Sequence, residues 1–154
     1  MENYEAMARN CYTPLIRNYG LKFAAYDSDE FFLIGNGFAI YVFVDKRDRR
    51  ADTWYVLPDS EGHILTYTLL HIQKSRYTQE DYSLYGTPNG YDEKIRSDMV
   101  VNASGLMNHC QDILSGDANW LKNYPGQGTF SRHIAKFLAP YFRRQGYYVK
   151  SMEE

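Results

Sequence analysis

Residues 31–44 constrain the fold more than any other stretch. Two apolar, β-rich runs, Phe31-Phe32-Leu33-Ile34 and Phe38-Ala39-Ile40-Tyr41-Val42-Phe43-Val44, flank Gly35-Asn36-Gly37. Asn-Gly between such runs signals a hairpin, because a type I′ turn needs positive φ at both central residues. A third run, Thr53-Trp54-Tyr55-Val56-Leu57, follows the charged loop 45–52. The three runs predict an antiparallel core.

The patterning of the second strand predicts what surrounds it. Phe38, Ile40, Val42 and Val44 fall on one face, and Ala39, Tyr41 and Phe43 on the other. Neither face is polar, whereas a sheet with one wet face alternates cleanly. Either helices cover both faces or an aromatic face is a contact surface. The several helices encoded elsewhere favour coverage.

Residues 2–19 read as a broken helix, with Tyr4, Met7, Ala8 and Cys11 at helical spacing. Thr13-Pro14 restarts it as N-cap and first residue, and Gly20 stops it. Residues 21–26 predict a strand and 27–30 an acidic turn. Residues 63–72 read as strand or strand plus turn, and 73–91 as a long polar loop. From Asp92, an N-cap candidate, Ile95, Met99, Ala103, Leu106, Cys110 and Ile113 form the stripe of the longest helix. Gly116 ends it. Ser131 caps a last helix with Ile134, Phe137, Leu138, Tyr141 and Phe142 on its apolar face, kinked or restarted at Pro140. Residues 147–149 suggest a short final strand. The fold class is α+β: one domain, 1–154, with a curved antiparallel sheet of about four to six strands. It has an N-terminal helix and a helical C-terminal half.

A chain of 154 residues, 44% apolar and 23% charged, needs neither disulfide nor metal to fold. No apolar run approaches the roughly 20 residues of a membrane span. The acidic start, Met1-Glu2-Asn3-Tyr4-Glu5, lacks the basic and apolar regions of a signal peptide. Cys11 and Cys110 read as free thiols, and the expected location is the cytoplasm. Net charge is uneven: residues 1–117 hold 11 Lys+Arg and 17 Asp+Glu, or −6, whereas 118–154 hold 6 and 2, or +4. An acidic portion suits a basic partner. Tyrosine, 15 of 154 residues, is favoured where surfaces meet.

No catalytic or metal-binding constellation stands out. His63, His71, His109 and His133 lack metal-ligand spacing. His109 and Cys110, adjacent on a helix, point about 100° apart, and Cys110 belongs to the apolar stripe. Gly35-Asn36-Gly37 and Gly126-Gln127-Gly128 complete no phosphate-binding motif. Arg47, Arg49 and Arg50 are offset by Asp45, Asp48 and Asp52. No cofactor or metal is expected.

The chain begins with a helix ending in Tyr19-Gly20-Leu21, followed by a strand meander with an Asn-Gly hairpin. Its helical C-terminal half carries Ile113-Leu114-Ser115-Gly116-Asp117-Ala118-Asn119-Trp120-Leu121. This layout resembles small bacterial immunity proteins, which protect a cell from toxins such as those of contact-dependent growth inhibition. The resemblance implies a cytoplasmic, non-enzymatic protein that binds and blocks a cognate toxin domain, often a nuclease. It carries over no binding residue by motif. On their own chemistry, Tyr77, Tyr82 and Tyr85 are the candidate anchors. Asp27, Asp29 and Glu30 are placed to reach basic groups on the partner. Two other readings stand beside it. A nucleic-acid-binding accessory protein would use Lys74, Arg76, Tyr77 and the basic C-terminal segment. A small enzyme would assemble its site from His109, His133 and the Asp27–Glu30 turn.

Overall fold

The computed structural model describes residues 3–151. Its elements run α1 (Glu5–Cys11), α2 (Thr13–Tyr19), β1 (Lys22–Ala25), β2 (Glu30–Ile34), β3 (Ala39–Asp45), β4 (Arg50–Pro58) and β5 (Ile64–Thr68). They continue as α3 (Leu70–Arg76), α4 (Gln79–Ser83), α5 (Tyr91–His109), α6 (Gln111–Leu114), a 3-10 turn (Asn119–Asn123) and α7 (Arg132–Arg144). The class is α+β, as the sequence predicts. The five strands lie in chain order, each antiparallel to the last.

Helices cover both faces of the sheet, which accounts for the doubly apolar β3. Phe31, Leu33, Ile40, Val42, Val44 and Tyr55 pack with Ala8 and Leu15 of α1 and α2 and with Ile95, Met99 and Leu106 of α5. Phe32, Ile34, Ala39, Tyr41, Val56 and Ile64 pack against Ile134, Ala135, Leu138, Ala139 and Phe142 of α7. Ile134, Leu138 and Phe142 recur every fourth residue, so one stripe of α7 enters the core. Burying each such side chain contributes about 1.5–3 kcal/mol. The 13-residue α7 continues through Pro140 rather than restarting there.

The β2–β3 hairpin forms, but with a different turn. Only Gly37 takes positive φ, +84°, while Asn36 does not. That is the type II pattern, not type I′. The reason lies outside the hairpin: the Gln145 amide, just past α7, accepts from Gly37 N–H and donates to Gly35 O, both at 2.8 Å. This tertiary clamp stands beside the hairpin's own closing bond, from Gly35 N–H to Phe38 O at 2.9 Å.

Two further boundaries move. The region 73–91 is not one long loop: α3 runs through Arg76, and Thr78 with Asp81 forms a capping box that starts α4. The long helix starts from Gly90 rather than Asp92 and breaks at Cys110, where φ is −131° and ψ 41°. All six stripe residues remain buried. Residues 147–149 are not a strand; Lys150 N–H bonds Gly62 O at 2.9 Å instead.

Beyond the end of β5, the outer edge of β4 is taken over by α5. Ala51 N–H donates to Asp98 Oδ2 at 2.7 Å, and Asn102 Nδ2 donates to Ala51 O at 3.1 Å. These side chains satisfy groups that an open edge would expose. Thr129 bridges to Thr66 and covers part of β5.

Candidate functional site

A single buried carboxylate organises the α4 region. Asp81 is 1% exposed. Its Oδ1 accepts from Ser104 Oγ at 2.7 Å and Asn108 Nδ2 at 3.3 Å. Its Oδ2 accepts from Thr78 N–H at 2.8 Å and Thr78 Oγ1 at 3.1 Å, and lies 2.9 Å from His109 Nε2. Burial alone would raise its pKa. The N–H and O–H donors more than offset burial and hold it near 2. Asp81 thus fixes α4 onto the C-terminal half of α5. Sequence reasoning missed it, although Thr78-x-x-Asp81 is a capping-box spacing.

The outward side of this segment is apolar. Tyr82, Leu84 and Tyr85 are 44%, 50% and 38% exposed. Tyr82 is held in place because its hydroxyl donates to Gln73 O at 3.1 Å. Leu84 was not anticipated. Its exposure follows from its position just past the last turn of α4. Residues 79–93 carry Glu80, Asp81, Asp92 and Glu93 and no Lys or Arg. Of these, Glu80 and the buried Asp81 lie on α4, whereas Asp92 and Glu93 lie at the N-terminal end of α5, away from the cluster.

Tyr77 is a correction. It is 7% exposed, its ring packs against Gly105, and its hydroxyl donates to Asn102 O at 3.3 Å. A side chain so placed is core, not a surface anchor. The Lys74-Arg76-Tyr77 stacking cluster fails for the same reason. Arg76 is also committed, pairing with Asp112 through Nη1 at 2.7 Å and Nη2 at 3.1 Å.

The acidic turn is used largely within the chain. Asp27 Oδ1 accepts from Asp29 N–H at 2.9 Å, and Asp29 pairs with Lys46 at 3.3 Å. Glu30 Oε1 accepts from Tyr41 Oη at 2.5 Å and meets His133 Nε2 at 2.7 Å. This turn lies by the N-terminal end of α5, since Tyr4 bonds both Ser28 O and Asp92 Oδ1. Tyr82 lies by the other end, so the expected tyrosines and carboxylates do not form one surface.

His133 and Glu30 do meet, with Ser131 Oγ 3.2 Å from the other imidazole nitrogen. The row ties β2 to α7. His109, on α5, is on the opposite side of the sheet, so the scattered residues proposed for an enzyme do not converge. Cys110 is fully buried, and burial pushes its thiol up to about 11. Both cysteines are free, as expected. Among the described residues no group of three or more His, Cys, Asp or Glu is placed to hold a metal ion. No described helix is long and apolar enough to cross a membrane.

Compared with protein-family models, curated proteins and solved structures, the chain gives no match in any of the three.

Proposed function

We propose that this chain is a non-enzymatic, toxin-immunity-type inhibitor that acts in the cytoplasm and engages a basic face of a toxin domain through Tyr82, Leu84 and Tyr85. The observation that carries the reading is the exposure of three large apolar side chains within four residues, on a segment anchored by Asp81. Tyrosine supplies large contact area with few rotatable bonds, and an anchored segment loses little entropy on binding. Glu80, exposed on α4 beside the cluster, suits a cation on such a partner. Asp27 and Asp29 lie outside this surface.

The test is co-expression with the product of the neighbouring upstream gene, followed by affinity purification. A stoichiometric complex with a toxin-like domain, together with restored growth, supports the reading. Recovery of nucleic acid instead, or of the chain alone, contradicts it.

A further inference from the structure

We propose that a second site, on the opposite side of the fold from α4, binds a small amphipathic carboxylate. The site is a cavity of about 310 Å³ lined by Gly62, His63, Ile64, Phe130, Arg132 and Val149, with Lys150 and Ser151 at its wall. That volume falls at the lower end of the roughly 300–1,000 Å³ typical of small-molecule sites.

Three separate segments build the walls, and backbone bonds fix each of them. Thr66 N–H donates to Thr129 O at 2.8 Å, and Thr129 N–H to Thr66 O at 2.9 Å, which sets Phe130 beside β5. Lys150 N–H donates to Gly62 O at 2.9 Å and ties the C-terminal segment to the β4–β5 turn. Arg143 Nη2 donates to Val149 O at 3.1 Å and Lys150 O at 3.4 Å. The cavity is therefore preformed rather than a gap between loose loops.

Its chemistry is two-sided. Ile64 and Val149 are buried apolar side chains, and Phe130 is 53% exposed. Arg132 and Lys150 contribute charge, and neither makes an ion pair among the described residues. The nearby acids, Asp59 and Glu61, sit against His63 on the cavity wall, and neither pairs with Arg132 or Lys150. Asp59 Oδ1 accepts from the N–H groups of Glu61 and His63, both at 2.9 Å. Asp59 and Glu61 also lie 3.6 and 3.7 Å from His63 Nδ1. Two cations without an ion-pair partner among the described residues, beside an apolar cavity, suit one anionic head on an apolar body. Arg132 offers the planar fork that matches a carboxylate.

The experiment is amide-resolved NMR titration of the whole chain with three probes. Decanoate carries both head and body, decanol only the body, and inorganic phosphate only an anion. Saturable shifts at Gly62, Ile64 and Lys150 with decanoate are expected, with decanol and phosphate at least about tenfold weaker. Arg132→Gln and Lys150→Gln, both at exposed positions, should each weaken decanoate about tenfold, the scale of a lost charge-assisted hydrogen bond. Phe130→Ala should weaken decanoate and decanol alike. The proposal is overturned if decanoate causes no saturable shift at these amides, if decanol binds as well, or if both charge variants keep wild-type affinity.

Discussion

His109 Nε2 lies 2.9 Å from the buried carboxylate of Asp81, and this contact joins the end of the longest helix to the segment that presents Tyr82. Removing the carboxylate would take this acceptor from His109, Ser104 and the Thr78 N–H, while Asn108 Nδ2 keeps its bond to Ser104 Oγ at 3.2 Å. Asp81→Ala is expected to cost about 1–3 kcal/mol, the scale of hydrogen bonds lost to a charged acceptor. Urea denaturation measures it.

The same residue gives an acid limb. Its folded-state pKa, near 2, lies below its ordinary 3.8. The unfolded chain therefore takes up the proton first as pH falls. The contribution of Asp81 is complete above about pH 4 and is lost progressively toward pH 2. Asp81→Asn should flatten this part of the stability–pH curve, and an unchanged slope would contradict the assignment.

Burial pushes the phenols of Tyr12, Tyr41, Tyr55 and Tyr77 well above the ordinary 10.0. Above that pH the unfolded chain releases protons that the folded chain keeps, so stability falls as pH rises past about 10. Tyrosinate absorbance should show these four ionising only with unfolding. Smooth titration of all 15 tyrosines in the folded protein would contradict it.

Asp98 behaves oppositely to Asp81. Burial is the largest influence and raises its pKa, and the hydrogen bond from Ala51 N–H only partly compensates. Its stabilising contribution is present at low pH and is lost as pH rises through its folded-state value. At neutral pH Asp98→Asn keeps an acceptor for Ala51 and removes the charge. Thermal melting should show an equal or higher midpoint. A loss above about 1 kcal/mol would mean that the charge itself is needed.

Much of the fold was legible because local rules and packing agree. The apolar faces of β3 announced helices on both sides, and Gly20 announced the stop of α2, where it takes φ of +63°. Other parts depended on distant partners. Nothing near Asn36 encodes the Gln145 clamp, so the turn type was misjudged. Tyr77 looked like a loop residue because Gly105, which leaves room for its ring, is 28 positions away in the chain. The exposed tyrosines were visible as residue types, but their separation from the acidic turn follows from the length of α5, roughly 28 Å for 19 residues.

Gly105 makes that dependence measurable. In a helix interior Ala is normally favoured over Gly by about 1 kcal/mol. Here a Cβ would stand 2.4 Å from the Tyr77 ring. Gly105→Ala should destabilise by about 1–3 kcal/mol, the usual cost of overpacking. In a Tyr77→Leu background that cost should shrink or reverse. Equal cost in both backgrounds would remove the ring as its cause.

The most direct test of the central claim is the affinity of the Tyr82→Ala/Tyr85→Ala variant for the co-expressed partner, measured by calorimetry alongside Tyr26→Ala. Tyr26 is also exposed but lies against α7, 5.6 Å from the Phe137 ring. The account predicts about a hundredfold loss or more for the double variant, as expected of central aromatic anchors. The variant should still unfold cooperatively, with a midpoint lowered only on the scale of the lost Tyr82–Gln73 hydrogen bond, about 1 kcal/mol, and Tyr26→Ala should bind as the wild type does. Wild-type affinity in the double variant would contradict the claim that the α4 surface is the binding face.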